Sequence, residues 1–232
     1  MLQESLRRTL ERNAGSESCA LWQVLADMGA GAALLSEAAG GMGGTGADIA
    51  LVAEEIGRAG AVVPMIDSVL LGAGVLAAAG GHEALITALI GGSTRAALAD
   101  TEPGARYDPA VNTRARRQGG DWQLSGEKSP VVGGEDADWL IVTAADEDGV
   151  AGLYLVAGDA PGLSRRGYSL MDGGRGADIT FVAVPGQRLG GHDLLDRPLA
   201  AAVLAVCADA VGTIARVLDM TTEHLRTRHQ FG

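Results

Sequence analysis

The hydrophobic period of this chain of 232 residues changes twice, and the order of these changes restricts the fold more than any other feature. Up to about residue 92, apolar side chains recur every three or four positions, as in Leu2, Leu6 and Leu10. That spacing predicts amphipathic helices separated by glycine-rich turns. Short alternating runs follow, and the helical spacing returns after Pro198. The sequence therefore predicts an α+β chain: N-terminal helices, a middle β region and one final long helix.

The middle region has the pattern of antiparallel strands joined by tight turns. Turn signals recur about every eight to twelve residues, which is typical of a small barrel or sandwich. We expect strands at Thr113–Gln118, Trp122–Ser125, Trp139–Ala144, Gly152–Ala157 and Asp178–Val184, the last closed by Pro185. The first two and the next two form hairpin candidates. The fold class is thus a multidomain α+β chain with an N-terminal helical domain, a middle antiparallel β-barrel or sandwich, and the first long helix of a C-terminal helical bundle.

The final helix is long and carries one apolar stripe. Pro198 suits the first helical position, and the spacing predicts roughly eight turns. A single amphipathic helix cannot bury its stripe alone, so we expect further chain or a partner to cover it. The stripe comprises Leu199, Val203, Cys207, Ala210, Ile214, Val217, Thr221 and Leu225. We divide the chain into residues 1–94, 95–191 and 192–232, the last being the start of a truncated C-terminal helical domain.

Composition argues against several classes of function. The net charge is −11, whereas nucleic acids and anionic membranes select a basic face, so neither is an expected partner. Met1–Asn13 is charged and unlike a signal peptide, and the longest apolar run, near Val69–Ala79, is too short to span a bilayer. The cysteines and histidines show no metal-ligand spacing. We expect a cytoplasmic protein that binds no metal.

Gly41–Gly46 matches the Gly-x-Gly-x-x-Gly pattern of dinucleotide-binding folds, and Asp67 follows at about the required distance. The strand that must precede these glycines is poor, since Ala32–Leu35 is short, and no strand follows the next helix. Thr45–Asp48 instead has the Thr-x-x-Asp form of a helix start. A loop between two helices is therefore the better interpretation of the glycines.

Five local motifs occur in the order in which acyl-CoA dehydrogenases carry them. Ser36–Gly43 resembles that family's Pro-Glu-x-x-Gly-Gly-x-Gly loop, and Glu54–Arg58 resembles its Glu-Glu-Leu-Gly-Arg helix. Thr101–Ala105 resembles the start of Thr-Glu-Pro-x-Ala-Gly-Ser-Asp, and Trp122–Lys128 is similar to the barrel signature with Gly-x-Lys. Arg228–Gly232 resembles the Arg-x-x-Phe-Gly that closes the first long C-terminal helix. The chain therefore resembles a divergent member of this family over nearly its whole length.

The resemblance implies an FAD-dependent oxidation of an acyl-CoA thioester to the 2,3-enoyl-CoA. In this family a glutamate base removes the α-proton while hydride passes from the β-carbon to the flavin. The resemblance also implies an oligomer, homomeric or heteromeric, with the flavin at the subunit interface. Electrons usually pass on to an electron-transfer flavoprotein, which is the expected redox partner.

The flavin-facing positions of the barrel carry over only in part. The resemblance implies that Thr101 lies along the isoalloxazine edge. Where the family usually shows Trp-x-Thr, this chain has Pro130-Val131-Val132, which removes a stacking ring and a hydroxyl donor. Backbone N–H groups of Val131 and Val132 are then the expected contacts to the flavin.

The phosphate-facing positions differ in the same way. Arg106 and Tyr107 stand where the family has Gly-Ser, whose small residues let the backbone approach the pyrophosphate. An arginine at this position offers a charged phosphate partner instead. The resemblance further implies that Arg228, with Gln230 and Phe231 beside it, reaches the FAD phosphates of a neighbouring subunit.

No catalytic base is identified in this chain. Most members of the family carry the glutamate late in the C-terminal domain, which this sequence does not contain. Some carry it on the long helix at the position of Ala202, and alanine cannot remove a proton. We interpret Asp209, two helical turns further on, as a polar surface or interface residue. We therefore assign no catalytic residue and expect the chain alone to be inactive.

Two features bear on the substrate. The small residues within Ser68–Ala79 would leave a wide acyl pocket and so suit a bulky acyl group, such as a steroid fragment. Tight Gly/Ala helix packing without a pocket explains them equally well. Arg114, Arg116 and Arg117 form a basic cluster that could meet CoA phosphates, although we favour a solvated strand face.

Three functions remain open at this point. The first is a subunit of an FAD-dependent acyl-CoA dehydrogenase that is active once complete and assembled. The second is a non-catalytic partner subunit of a heteromeric dehydrogenase, which Arg106, Tyr107, Val132 and Ala202 favour. The third is an acyl-CoA-binding scaffold protein. Flavin content separates the third from the others, and turnover with and without a partner chain separates the first two.

Overall fold

The structure is a computed structural model that describes residues 2–105 and 110–230. Three of the positions expected to contact FAD, Arg106, Tyr107 and Phe231, lie outside the described residues. The described chain comprises N-terminal helices, one seven-stranded sheet and a long last helix, in that order. The predicted fold class is therefore confirmed.

Three helices form the first layer. They are α1, Leu2–Arg12, α2, Ser18–Asp27, and α3, Gly46–Ala59. The predicted start of α3 is confirmed, because Thr45 and Asp48 form a capping box in which the Thr45 N–H donates to Asp48 Oδ2 at 2.9 Å. Such a box satisfies N–H groups that the first turn of a helix leaves free.

A buried carboxylate joins α1 to α3. Glu55 is 1% exposed and accepts hydrogen bonds from Arg7 Nε at 2.8 Å and Arg7 Nη2 at 2.6 Å. Gln3 Nε2 donates a third bond to the same side chain at 2.8 Å. The hydrogen bonds from Arg7 hold the pKa of Glu55 below its usual value although burial acts to raise it. The pair thus fixes the register of the two helices.

The apolar segment after α3 forms two kinds of helix. Met65–Ala73 is a π-helix and continues directly into α4, Gly74–Ala79, after which α5 spans Glu83–Ile90. The apolar spacing of the sequence predicts a helix over Ser68–Ala79, and the observed helix begins earlier, at Met65. A π-helix has wider turns than an α-helix, and α-helical spacing does not reveal it. Asp67 lies within this π-helical segment.

The seven strands form one closed sheet. Their order is β1-β4-β2-β3-β7-β5, with β6 on β7, and the additional pairing of β4 with β5 closes the barrel. All pairings are antiparallel except those that β4 makes with β1 and β2. The strands are β1 Ala96–Ala99, β2 Arg114–Gln118, β3 Asp121–Val132, β4 Trp139–Ala145, β5 Ala151–Ala157, β6 Leu163–Ser169 and β7 Arg175–Gly191.

Strand β7 passes through Pro185, which was expected to end it. Pro185 pairs with Gln123 of β3 inside the ladder. A bulge lies just before it, where Ala183 has a φ of 52° and donates its N–H to Ser125 Oγ at 3.1 Å. Proline is tolerated in strands next to bulges because its missing N–H costs no ladder bond there. The predicted strand end was wrong for this reason.

Two apolar clusters hold the molecule together. Ile141 and Leu153 point from β4 and β5 towards the helices, whereas Leu140 and Tyr154 point into the barrel, and all four are fully buried. Because strand residues alternate between faces, these two strands are buried on both sides. One cluster therefore lies between the helices and the sheet, the other lies inside the barrel, and β4 and β5 contribute to both.

The last helix, α6, spans Asp196–Thr227 and crosses α3 in close contact. A Cβ atom at Gly212 would lie 1.9 Å from the Glu54 carbonyl oxygen, and one at Gly57 would lie 2.1 Å from the Asp209 carbonyl oxygen. Only glycine allows two helix backbones to approach this closely. Close backbone packing at these two glycines is thus a main feature of the crossing, which also includes an ion pair between Arg58 and Asp219.

The predicted apolar stripe of α6 lies on its exposed side. Small residues, Ala202 and Ala205, face α3 and are buried. The large side chains of the stripe are between 48% and 68% exposed: Leu199, Val203, Ile214, Val217 and Leu225. Cys207 is exposed as well. In the described chain the helix thus packs through small residues and leaves its stripe uncovered.

Among the described helices, His192–Thr227 alone has the length and composition of a membrane span, with a mean hydropathy of 1.9 in its most apolar window. This helix lies outside the apolar run near Val69–Ala79 that the sequence singled out. Length and composition are weak evidence, since long helices that pack in soluble proteins share them. The helix contacts α3, and Asp209 and Arg216 lie along it.

Candidate cofactor-binding site

Thr101 follows β1, at the point where the chain leaves the barrel wall. Its carbonyl oxygen accepts a hydrogen bond from Ser129 N at 2.9 Å, so this segment runs beside β3. The neighbouring Asp100 Oδ1 lies 3.9 Å from His192 Nε2, just before α6. Thr101 is partly buried. The residue expected at the flavin edge therefore lies where the barrel meets the start of the last helix.

A buried lysine holds this segment in place. Lys128 is 0% exposed, and its Nζ donates to the Asp100 carbonyl oxygen at 2.9 Å, to Glu102 Oε1 at 2.7 Å and to Thr143 Oγ1 at 2.9 Å. Burial lowers the pKa of Lys128, and Glu102 opposes that change. Burial acts to raise the pKa of Glu102, but hydrogen bonds from Lys128 and Thr113 hold it below its usual value. The two side chains form a buried ion pair.

Val131 and Val132 differ in what they offer a ligand. Val131 is fully buried, whereas Val132 is 48% exposed. Gly133 N donates to the Arg175 carbonyl oxygen at 2.8 Å, and Val132 pairs with Gly176. Hydrogen-bonded and non-hydrogen-bonded pairs alternate in an antiparallel ladder, so the Val132 N–H points away from β7. That N–H faces the side of β3 along which Thr101 lies.

Asp67 lies against the turn that follows these valines. A Cβ atom at Gly133 would be 3.8 Å from Asp67 Oδ2. Burial and, to a smaller extent, the nearby Asp172 carboxylate together raise the pKa of Asp67 to about 7. Among the described residues no cation or side-chain donor contacts this carboxyl group. Buried carboxyl groups without a cation are frequent at functional sites.

Helix α6 brings two further residues of interest. Ala202, which occupies the position of the alternative base, is 5% exposed. Asp209 is partly buried, and burial followed by the charge of Asp172 raises its pKa. Asp172, in the loop between β6 and β7, therefore acts on carboxyl groups of two different elements. The N-terminal half of α6 thus adds a carboxyl group, but no identified base, to this part of the molecule.

The remaining expected FAD contacts lie far from Thr101. Arg228 and Gln230 follow the C-terminal end of α6 and are exposed. The helix has 32 residues, which corresponds to about 48 Å along its axis, and its opposite end lies near Asp100. One chain therefore brings Thr101, Val131 and Val132 together and keeps Arg228 and Gln230 apart from them.

The basic cluster on β2 is not a single patch. Arg114 and Arg116 face the acidic turn Asp146–Gly149. The Arg117 guanidinium lies 5.4 Å from the ring centroid of Trp122, beside an open concavity of about 1050 Å³. Strand alternation sends neighbouring side chains to opposite faces, so the three arginines cannot meet one phosphate group together.

The small residues expected to widen an acyl pocket are used for packing. A Cβ atom at Gly72 would lie 2.8 Å from Ala96 Cβ, and one at Gly74 would lie 3.3 Å from Pro198 Cγ. Ala73 is fully buried. These contacts favour the interpretation as tight helix packing over that of a wide pocket.

Sequence reasoning missed the Lys128–Glu102 pair and considered Asp67 only as part of the dinucleotide-binding pattern. The signal for the pair was a lysine at a core-facing strand position, four residues after the buried Leu124. The signal for Asp67 was one acidic residue inside the apolar segment that follows α3. Neither signal names the partner, because the groups that meet there lie far apart in the chain.

The residues at this junction fit a planar polar ring. A partly buried threonine, Thr101, and an outward-facing backbone donor, that of Val132, share one side of β3. Gly133 has a φ of 68° and turns the chain away from the barrel. A flavin ring edge presents hydrogen-bonding atoms in a row, which such a set of groups suits. The site residues nevertheless stay predictions.

Comparison with known proteins agrees with this architecture. The sequence matches the family models for the acyl-CoA dehydrogenase N-terminal domain at residues 2–87 and for the acyl-CoA dehydrogenase middle domain at residues 97–184. Acyl-CoA dehydrogenase FadE27 of Mycobacterium tuberculosis is 29% identical over 218 residues, which cover 91% of this chain and 57% of the relative. FadE28 of the same organism is 32% identical over 223 residues, covering 91% and 61%.

A solved structure of a steroid ACAD variant, Tcur3481-Tcur3483, is similar with a TM-score of 0.87 and 31% identity. The similarity covers 100% of this chain and 67% of that one. The chain spans less than two thirds of the length of the two curated relatives. Two family models in the expected order and this similarity agree, and the chain therefore belongs to the acyl-CoA dehydrogenase family.

Proposed function

We propose that this chain is a subunit of an FAD-dependent acyl-CoA dehydrogenase that oxidises a bulky acyl-CoA thioester at its α and β carbons. The observation that carries the proposal is the junction of Thr101 with the outward-facing N–H of Val132. Both groups lie on the side of β3 that faces away from β7, and Lys128 holds the segment that carries Thr101. Family membership supplies the reaction class.

The cofactor would supply the redox chemistry by accepting the hydride of the β-carbon. In this proposal Thr101 and the Val132 N–H bind and orient the ring edge, and Val131 supports them from the barrel core. Arg106 and Tyr107 stay proposed contacts of the pyrophosphate. Ala202 cannot remove the α-proton, so the complete enzyme takes its base from another position.

We propose an assembly of at least two chains around each flavin. The expected contacts at Arg228 and Gln230, with Phe231 beside them, lie about 48 Å from the start of α6 and cannot complete the site of their own chain. A neighbouring subunit, whether a second copy or a related chain, would then supply them. The uncovered stripe of α6 is in keeping with further helices around it.

The bulky acyl group is supported by similarity alone. The steroid ACAD variant covers all of this chain at 31% identity. The small residues of the π-helical segment give no independent support, because they are packed against β1 and α6. An electron-transfer flavoprotein as acceptor and a cytoplasmic location follow from the family resemblance, and we propose them on that basis.

A second function is favoured by one observation, the buried alanine at position 202. A chain without a base at this position suits a non-catalytic partner subunit of a heteromeric dehydrogenase. The name of the similar steroid ACAD, Tcur3481-Tcur3483, combines two protein designations, which is in keeping with an assembly of two different chains. An acyl-CoA-binding scaffold is the third possibility, and the fit of the junction to a flavin ring weighs against it.

Turnover measurements with and without a partner chain test the proposal. The protein would be assayed with steroid-type and short linear acyl-CoAs, using an artificial electron acceptor, alone and after co-expression with a related dehydrogenase chain. We expect activity on the bulky substrate, and only in the assembled protein. Faster oxidation of short linear acyl-CoAs would contradict the substrate class. If the protein binds flavin but oxidises none of the acyl-CoAs, either alone or with a partner chain, the dehydrogenase function is contradicted.

A further inference from the structure

We infer that the buried pair Lys128–Glu102 is a positioning device that holds Thr101 at the cofactor site and ties both ends of the segment 103–111. The inference rests on the proposed function for what Thr101 contacts. The tie itself is a property of the described residues and stands without a cofactor. Neither side chain is proposed to touch the flavin or the substrate.

The first step is the position of Lys128 between two neighbours of Thr101. Its Nζ binds the carbonyl oxygen of Asp100 and the carboxylate of Glu102, which precede and follow Thr101 directly. The third donor of Nζ goes to Thr143 Oγ1 on β4. All three protons of the ammonium group therefore have acceptors, and two of them restrain the backbone on either side of Thr101.

The second step is the closure of the segment that follows. Glu102 Oε1 also accepts from the backbone N–H groups of Asn112 and Thr113, each at 3.1 Å. The residue that precedes the segment 103–111 thus binds, through its carboxylate, the backbone of the two residues that follow it. Arg106 and Tyr107, the proposed pyrophosphate contacts, lie between these two ends in the sequence.

The third step concerns what the pair contributes. A fully buried ion pair adds little net stability over a well-packed apolar pair, because both charges lose their water. A charged group with several directed hydrogen bonds does, however, define one geometry for its partners. Lys128 is 0% exposed and Glu102 is 4% exposed, so water cannot substitute for either one. The contribution we assign to this pair is therefore position rather than stability.

Glu55 provides a matched control. It is 1% exposed, accepts from a cationic side chain, Arg7, and lies in the helical part of the chain. Glu55→Gln and Glu102→Gln both keep an acceptor oxygen and remove one buried charge. The variant K128M/E102Q serves as a second test, because it removes the pair without leaving an unpaired buried charge.

The experiment measures FAD dissociation constants and amide exchange of the assembled protein at a temperature where every variant is folded. We expect Glu102→Gln and K128M/E102Q to weaken FAD binding about tenfold, the loss of roughly one charged hydrogen bond, and Glu55→Gln to change it less than about twofold. Exchange of the Asn112 and Thr113 amides should accelerate only in the two Glu102 variants.

Equal weakening by Glu55→Gln and Glu102→Gln would overturn the inference, because the effect would then be general destabilisation. FAD binding within twofold of the parent in both Glu102 variants would overturn it as well. If the parent protein itself binds no FAD, the proposed FAD-dependent function is contradicted. The amide exchange of Asn112 and Thr113 then decides the tie alone: unchanged exchange in Glu102→Gln overturns it, and faster exchange supports it.

Discussion

Two buried glutamates organise two different regions of this molecule. Glu55 joins α1 to α3 in the helical region, and Glu102 joins the end of β1 to the barrel. Their surroundings differ in one respect: the Arg7 side chain is 43% exposed, whereas the Lys128 side chain is 0% exposed. Water can replace the cation at Glu55 but not at Glu102. Both glutamates are buried, but Glu55 pairs with a cation that is partly exposed to solvent, whereas Glu102 pairs with a cation in the interior.

The contact between α3 and α6 is stabilised in a third way, by close packing of the two helix backbones. It depends on two glycines, and the ion pair that spans it, Arg58–Asp219, is partly exposed to solvent. At this crossing, added volume should therefore lower the free energy of unfolding more than a change of charge does. At Lys128 and Glu102, a change of charge should have the larger effect. The following changes test that contrast.

Removal of the internal cation should have the largest effect. We expect Lys128→Met to lower the free energy of unfolding by about 3–5 kcal/mol, because Glu102 is left buried without a partner. Arg7→Met should cost only about 1 kcal/mol, since water then reaches Glu55. Urea titration of both variants measures the difference, and equal losses would remove the distinction between the two regions.

Asp67 should make stability depend on pH. Its pKa of about 7 in the folded protein lies above the usual value of 3.8. The folded state therefore binds the proton more tightly, and stability falls as pH rises from about 4 to about 7. We expect the free energy of unfolding of Asp67→Asn to exceed that of the parent by about 2–4 kcal/mol at pH 8. This difference should shrink as the pH falls towards 4.

Denaturant titrations between pH 4.5 and 8 measure this dependence. Asp121→Asn is the matched control, because Asp121 is exposed at the first position of β3. The control should follow the parent at every pH. A stability difference for Asp67→Asn that does not change with pH would mean that Asp67 ionises normally.

Added volume at the helix crossing should cost somewhat less. We expect Gly212→Ala to lower the free energy of unfolding by about 1–3 kcal/mol, because its Cβ would lie 1.9 Å from the Glu54 carbonyl oxygen. A Cβ at Gly120, by contrast, has no atom within 4 Å. Gly120→Ala should therefore stay within about 0.5 kcal/mol of the parent in the same thermal or urea melt. A similar loss in both variants would contradict close packing at the crossing.

The smallest expected effect concerns the start of α3. Thr45→Ala removes the hydroxyl of the capping box and should cost about 1 kcal/mol. Thr45→Ser keeps the hydroxyl and should restore most of that loss. Circular dichroism melts compare the two, and an equal loss for serine would show that the cap does not stabilise the helix.

Local patterns predicted most elements of the fold. The spacing of Leu21 and Leu25 indicates a helix, and Gly119-Gly120 between alternating runs indicates a hairpin, because both signals depend on near neighbours in the chain. The π-helical turns at Asp67 and the passage of β7 through Pro185 depend on contacts with other elements, so local spacing could not reveal them. The domain limits at residues 94 and 191 remain predictions.

The sequence indicated which residues belong to the candidate site, but it did not indicate how they are arranged in space. Motif resemblance pointed to Thr101 and Val132, but the direction of the Val132 N–H depends on the register between β3 and β7. Lys128 and Glu102 are 26 residues apart, and only the folded barrel brings them together. The sequence pattern identified the large apolar residues of α6, which lie on its exposed side. The buried side consists of small residues that do not stand out in such a pattern.

The visible absorption spectrum of the gently purified protein tests the central claim most directly. The account predicts a bound flavin that stays with the protein through gel filtration and loses its absorption when a bulky acyl-CoA is added without oxygen to the assembled protein. A protein that contains no flavin and takes up none from added FAD would contradict the claim that the junction at Thr101 and Val132 is a cofactor site.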